Sequence, residues 1–464
     1  MDELDRDLMV AVATYLRHAG AVAEQETRDI RTPLGERVSA HLGVDVTTVP
    51  VVSEPIPDHR LVDADLVLER WQEAGGSLIG IRGGDYRMHA ETAELLANPH
   101  TRFAPGPADY LERPTGPDTT RRVVGLGVRL LVFDGVPVAV VQRAAYERVG
   151  RETASVDVLG RDPEVVSGFL RRLREEMVAV SVLRGQVITL AHAENGVGSR
   201  AGFLPRPRVH SADVVLPDGV LAEIIAHALG IGEHRALLLG LGQHLKRGIL
   251  LYGPPGTGKT LTVRHLIADA VGTTVVVLRG EGLGHVQQAA AIARTFQPSI
   301  VVLEDIDLVA MERHQYPQPL LFEVLDALDG LDGDADVAFV MTTNRVDVLE
   351  PALAERPGRV DLAMELPLPA LPERVRLLAL YARNLAFSPE ALQRAAERTA
   401  GTTGSFAKEL VRSSVLLAAG RAEEPADEHL AAALDELLGS GRRLTRRMLG
   451  DEGAAAEDRA DGSA

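Results

Sequence analysis

The chain has 464 residues, an apolar fraction of 45% and a formal net charge of −17. That length suits two or three domains with sizeable cores. Cysteine is absent, which excludes disulfides and thiolate metal sites, and the acidic balance argues against a bulk nucleic-acid binder, which needs a basic footprint.

In chain order, the start MDELDRDLMVAV is acidic, and no positive stretch leads into an apolar run. No secretory signal is expected there. The longest apolar candidate, residues 123–141, contains Arg129 and Asp134 and reads as a hairpin rather than a membrane span. The expectation is a soluble, cytoplasmic protein with no membrane contact. Residues 1–20 and 59–74 predict amphipathic helices, and residues 122–142 predict a hairpin turning at Asp134-Gly135. DPEVVSGFLRRLREEM (162–177) predicts a helix capped by Asp162 with Pro163 in its first turn, and VAVSVLRGQVITL after it predicts a strand. Residues 1–193 thus read as an α+β amino-terminal domain without an assignable fold, and 194–208, rich in Gly, Pro and Arg, as a linker.

The pattern then changes. GILLYG (248–253), TVVVLRG (274–280), SIVVLED (299–305) and VAFVMTTN (337–344) are short apolar runs separated by helical segments. Such runs imply a parallel sheet covered on both faces, placed over 209–371. Residues 372–440 predict four helices, and the polar stretch 441–464 predicts a disordered tail.

Within this frame, LLYGPPGTGKTLTV (250–263) places Gly253, Pro254, Pro255, Gly256, Thr257, Gly258, Lys259 and Thr260 at P-loop spacing, between a predicted strand and a predicted helix. Glycines let successive N–H groups converge on an anion, and the helix amino terminus adds partial positive charge. Lys259 would reach the β- and γ-phosphates of ATP, and Thr260 would offer its hydroxyl to Mg²⁺. Lysine occurs only at 246, 259 and 408 in a chain that otherwise uses arginine, which marks Lys259 out. VVLEDID (301–307) ends a predicted strand in carboxylates, as expected of a neighbour of the P-loop strand that holds the magnesium shell and orients water.

GPPGTGKT (253–260), VVLEDID (301–307), LLFEVLDALDGL (320–331), FVMTTNRVDVLEPAL (339–353) and RPGRVD (356–361) together resemble the AAA clade of the AAA+ ATPases over about 209–420. The resemblance implies an α/β P-loop NTPase core with a carboxy-terminal helical lid, and ATP and Mg²⁺ as cofactors. Asn344 resembles the family's sensor residue. Arg356 and Arg359 resemble arginine fingers that enter a neighbouring subunit's site, implying a homo-oligomer, usually a hexameric ring. Gly404 matches the lid position on the adenine side, and Asp213 and Val214 match the adenine pocket. Glu304 falls at the metal-shell position beside Thr260, and Asp305 at the water-activating position. The family usually shows Asp then Glu here. The reversed order resembles the mitochondrial AAA chaperones that translocate the Rieske protein, which favours hydrolysis.

The resemblance implies a protein-remodelling or chaperone-like ATP hydrolase with a polypeptide client, its amino-terminal domain holding that client. The pore-loop segment EGLGHV (281–286) lacks an aromatic residue, which speaks against a threading grip. The alternative is a low-turnover nucleotide-dependent switch or assembly scaffold. The run LDGDADVAF (331–339) reads as a solvated turn, since a Ca²⁺ loop would need Gly at Val337 and Glu at Thr343. His265 and His285 read as surface or loop histidines.

Overall fold

The computed structural model describes residues 30–146, 151, 153–192, 199–307, 333–345 and 360–439. The expected helix over 1–20, the segment LLFEVLDALDGL, Arg356, Arg359 and the tail 441–464 lie outside the described residues. Two compact units divide the chain: residues 1–182 with 193–200, and residues 183–192 with 201–464.

The first unit contains α1 (Pro33–Leu42), β1 (Val52–Ile56), α2 (Leu61–Glu73), β2 (Ser77–Arg82), α3 (Thr92–Leu96), β3 (Ala104–Gly106), β4 (Asp109–Gly116), β5 (Thr119–Phe133), β6 (Val136–Arg143), β7 (Ala154–Gly160) and α4 (Pro163–Ala179). Its strands form one antiparallel sheet in the order β1-β7-β6-β5-β2-β3, with β4 paired to β5. Asp134 and Gly135, both at positive φ, make the two-residue turn between β5 and β6, as the Asp-Gly pair requires. Alternate residues of the strands serve two cores. Val138, Val140, Val156 and Val158 pack against α2 and α4, while Leu126, Val128, Ala139 and Val141 pack against α1 and α3. Inside the first core the Arg129 guanidinium meets Asp65 at 2.6 Å, both side chains nearly inaccessible. Gln142 and Gln72 accept further hydrogen bonds from Arg129. Removing one partner of so buried a pair costs about 3–5 kcal/mol.

The second unit opens with β8 (Val187–His192) and β9 (Ser199–Leu204), followed by α5 (Val220–Ile225), α6 (Ile231–Glu233) and α7 (Arg235–Gly240). Then come β10 (Arg247–Tyr252), α8 (Lys259–Asp269), β11 (Thr274–Arg279), α9 (Val286–Thr295), β12 (Ser299–Glu304), β13 (Val337–Thr343) and β14 (Leu362–Glu365). Four helices finish it: α10 (Leu371–Tyr381), α11 (Pro389–Arg398), α12 (Gly404–Gly420) and α13 (Asp427–Leu438). The sheet order is β14-β10-β13-β12-β11-β8-β9, and β10 to β14 pair in parallel. Every residue of β12 and β13 is buried. Ile249, Val275, Ile300 and Val340 face α8, and α9 packs on β11 and β12. Each fully buried aliphatic side chain contributes about 1.5–3 kcal/mol.

Four sequence expectations change. The run VAVSVLRGQVITL is not one strand: α4 extends through Ala179, and only Val187–His192 is extended. That strand joins the second unit, where Val187 and Ile188 pair in parallel with Val275 and Val276. The expected linker 194–208 contains β9, which lies beside β8. The physical reason is the exposed edge of β11, whose unpaired amides an apolar segment satisfies. Asp336, expected in a solvated turn, is buried and ion-paired with Arg247 at 2.8 Å. His265 and His285 are buried rather than on the surface, and the His265 Nδ1 lies 2.9 Å from the Val209 carbonyl.

Candidate nucleotide site

The site begins where β10 ends. Gly253 adopts φ 142°, and a Cβ there would lie 2.2 Å from the Leu366 carbonyl, so only glycine fits. Gly256 and Gly258 also adopt positive φ, and Gly258 caps α8. The chain thereby folds back over the amino terminus of α8, the arrangement that binds phosphate. Thr257 Oγ1 donates to the Pro254 carbonyl at 2.9 Å and braces the loop. Lys259 Nζ donates to the carbonyls of Gly253 at 2.7 Å and Pro254 at 2.8 Å. Burial lowers the Lys259 ammonium to about 8, while the charges of Asp305 and Asp307 act to raise it.

A cavity of about 720 Å³ opens at this loop. Asp213, Val214, Pro255, Gly256, Thr257, Gly258, Lys259, Thr260, Asp305, Asn344 and Gly404, all selected from the sequence, line it. Such a volume suits a nucleotide-sized ligand. Gly253 and Pro254 stand behind the wall and hold Lys259. Glu304 is not among the lining residues. Its carboxylate is engaged by Arg279, its neighbour across the β11–β12 pairing, with contacts of 2.6 and 3.0 Å. The longer glutamate is what reaches that guanidinium. Asp305 adopts φ 53°, a left-handed conformation that aspartate tolerates better than most residues. Asn344 Nδ2 donates to Asp305 Oδ1 at 3.3 Å.

The expected partners of this centre, Arg356 and Arg359, lie outside the described residues. Sequence reasoning missed Tyr381, Arg383, Asn384 and Lys408 on the cavity wall. Lys408 carried a signal that was left unused, as one of only three lysines. All four belong to the lid, and no local pattern marks the other three.

Residues 249–368 match the family described as "ATPase family associated with various cellular activities (AAA)". The proteasome-activating nucleotidase of Thermococcus onnurineus is 30% identical over 262 residues, covering 53% of this chain and 65% of that protein. The ATP-dependent zinc metalloprotease FtsH 3 of Sphaerobacter thermophilus is 34% identical over 223 residues, 45% of each chain. The FtsH of Acidimicrobium ferrooxidans is 32% identical over 265 residues, 53% of this chain and 40% of that protein.

Residues 249–368 form an AAA ATPase domain.

The chain spans between 40% and 65% of the lengths of these three relatives. The AAA domain is the α/β P-loop fold expected from the sequence, and the four carboxy-terminal helices stand where its lid belongs. The lid meets the P-loop directly. A Cβ on Gly256 would lie 2.8 Å from Ser405 Oγ and 2.9 Å from Thr403 Oγ1, and one on Gly404 would lie 3.3 Å from the Gly256 carbonyl. Arg383 pairs with Asp213 at 3.3 Å, and Arg376 donates to the Leu216 carbonyl at 2.7 Å. These contacts tie the lid to the segment that precedes the P-loop strand. The AAA domain offers hard oxygen donors to its cavity, the Thr260 hydroxyl and the Asp305 carboxylate. That donor set fits Mg²⁺ rather than a soft metal.

Proposed function

We propose that the protein binds Mg·ATP in this cavity and hydrolyses it, and that it works as a ring-forming, protein-remodelling or chaperone-like enzyme. The observation that carries the reading is the meeting of P-loop, acidic strand tip, Asn344 and lid around one cavity of nucleotide size. The P-loop amides and Lys259 would take the β- and γ-phosphates, with Asp213, Val214 and Gly404 on the base side. Thr260, with the acidic tip of β12, would hold the magnesium. The metal supplies neutralisation of phosphate charge and a fixed orientation for the transferred group. Asp305 would orient the attacking water and accept its proton, and Asn344 would hold Asp305 and that water in line. Arg356 and Arg359 of a neighbouring subunit would stabilise charge on the transferred phosphoryl group, a contribution of about 10³–10⁵ in rate. That role implies a homo-oligomeric ring, a hexamer, with the first unit presented to a polypeptide client.

Among the described residues no helix is long and apolar enough to cross a membrane. A cytoplasmic setting fits that finding together with the absence of cysteine. The bidentate Arg279–Glu304 pair favours a second reading, a nucleotide-dependent switch of low turnover, because it occupies the carboxylate expected to serve the metal.

Steady-state hydrolysis of wild type beside Asp305→Asn tests the enzyme reading. The variant is expected to keep Mg·ATP affinity and lose at least about a hundredfold in kcat. Equal rates would remove Asp305 from the mechanism. A wild type that binds Mg·ATP tightly but shows no hydrolysis above the protein-free background would establish the switch instead. Capture of a polypeptide by the ATP-held variant tests the remodelling role.

A further inference from the structure

The tips of β12 and β13 are laced together at the cavity by hydrogen bonds that the chemistry above does not use. Asp305 N donates to Thr342 Oγ1 at 3.0 Å, and Ile306 N donates to the Thr342 carbonyl at 3.0 Å. In return, Thr343 Oγ1 donates to Asp307 Oδ1 at 2.9 Å, and Asn344 N donates to the same oxygen at 3.2 Å. Thr343 Oγ1 in turn accepts from Arg345 N at 2.9 Å. Asp307 is 4% exposed and is not among the residues that line the cavity. A carboxylate so placed touches no substrate, yet it grips the main chain of the residue whose side chain reaches Asp305.

We propose that Asp307 is a positioning residue for hydrolysis, fixing the Asn344 main chain so that its side chain amide is aimed at Asp305. This rests on the ATPase reading of the site. The residue type suits the task. A carboxylate oxygen accepts both hydrogen bonds at one atom and brings no donor of its own, and charge-assisted bonds of this kind are the stronger class. The neighbouring pair from Thr342 holds Asp305 in its left-handed conformation, so the two strand tips set both ends of the Asn344–Asp305 contact. Loss of the Asp307 grip frees one end only. Its hydrogen bonds go to Thr343 and Asn344 rather than to the P-loop or the lid, which hold the nucleotide. Because its charge also supports the Lys259 ammonium, affinity is compared at pH 7 or below, where that ammonium is charged. The cost therefore falls on kcat rather than on affinity, and a displacement of about 1 Å suffices for about a hundredfold.

A double-mutant cycle with Asn344 tests this. Asp307→Ala is expected to lower kcat about 10- to 100-fold, with Mg·ATP affinity within about twofold of wild type. Asp307→Asn, which keeps an acceptor oxygen, is expected to recover most of the rate. Asp307→Ala combined with Asn344→Ala is expected to be no slower than Asn344→Ala alone. A merely structural Asp307 would lower the melting temperature and add its full factor to Asn344→Ala, which overturns the proposal, as does a wild-type rate in Asp307→Ala. Should Asp307→Ala not fold, Thr343→Val must lower kcat and Thr343→Ser must not. A wild type without turnover overturns this proposal together with the ATPase reading. A wild type with turnover that Asn344→Ala slows and Asp307→Ala does not overturns Asp307 alone.

Discussion

Lys259 sits in a balance of two opposed effects. Burial lowers its ammonium to about 8 against an ordinary value of 10.5, while the nearby Asp305 and Asp307 charges oppose that shift. Below pH 8 the side chain is charged and ready for a triphosphate. Above pH 8 the free site is increasingly neutral, and binding must draw a proton from solution. Mg·ATP affinity is therefore expected to fall by up to about tenfold per pH unit above 8, since one unit corresponds to about 1.4 kcal/mol. Calorimetry between pH 7 and 9.5 would show the decline and a buffer-dependent heat of proton uptake. In Lys259→Arg, which stays protonated, the slope is expected to vanish. The place of Lys259 on the cavity wall was readable in the sequence because the P-loop is a local motif whose spacing carries its geometry. The engagement of Glu304 by Arg279 was not, because the two residues meet only through the register of β11 against β12.

At the scale of elements, the joint between P-loop and lid rests on two glycines. Gly256 holds φ 82° with the hydroxyls of Ser405 and Thr403 where a Cβ would crowd them. Gly256→Ala is expected to push the start of α12 off the loop and weaken Mg·ATP binding at least about tenfold. The strained φ adds about 1 kcal/mol of destabilisation. Nucleotide titration and thermal melting of the variant check both effects, and an unchanged affinity would separate lid position from binding. The far end of α8 is held as well. The Arg206 guanidinium donates to the carbonyls of Ile267, Ala270, Gly185 and Thr273 at 2.6 to 3.0 Å. One side chain thus satisfies the carbonyls left open at the end of the P-loop helix and closes the turns on either side of it. The four lid helices were evident from their apolar periodicity. β14 was not, since four residues with alternating partial burial give too short a pattern to distinguish from a loop.

For the whole molecule, each unit has its own sheet and its own cores, so unfolding is expected to proceed in more than one step. One pH term belongs to the first unit. Burial lowers the His59 imidazole to about 4, Arg60 lowers it further, and Asp58 acts the other way. The folded value lies below the unfolded 6.5, so the unfolded chain binds the proton more readily. The stabilisation is complete above pH 6.5 and is lost as pH falls from 6.5 toward 4. The melting transition of the first unit is expected to drop by a few degrees between pH 7 and 5. His59→Asn is expected to flatten that drop. Differential scanning calorimetry of both proteins checks this, and parallel pH profiles would show that His59 does not carry it.

The sequence alone determined the P-loop, the apolar strands of the AAA sheet, the order of core and lid, and eleven of the residues that line one cavity. Each of these follows from short-range physics: glycine φ values, the period of apolar residues, and the cost of carboxylates at a strand tip. Tertiary structure alone decided that β8 and β9 extend the AAA sheet, that Asp336 turns inward to Arg247, that Glu304 spends its length on Arg279, and that Asp307 grips Asn344. The side-chain pairings among these join residues 25 or more positions apart in the chain. They are set by which strand lies beside which and in what register, and a single sequence read locally contains no measure of that.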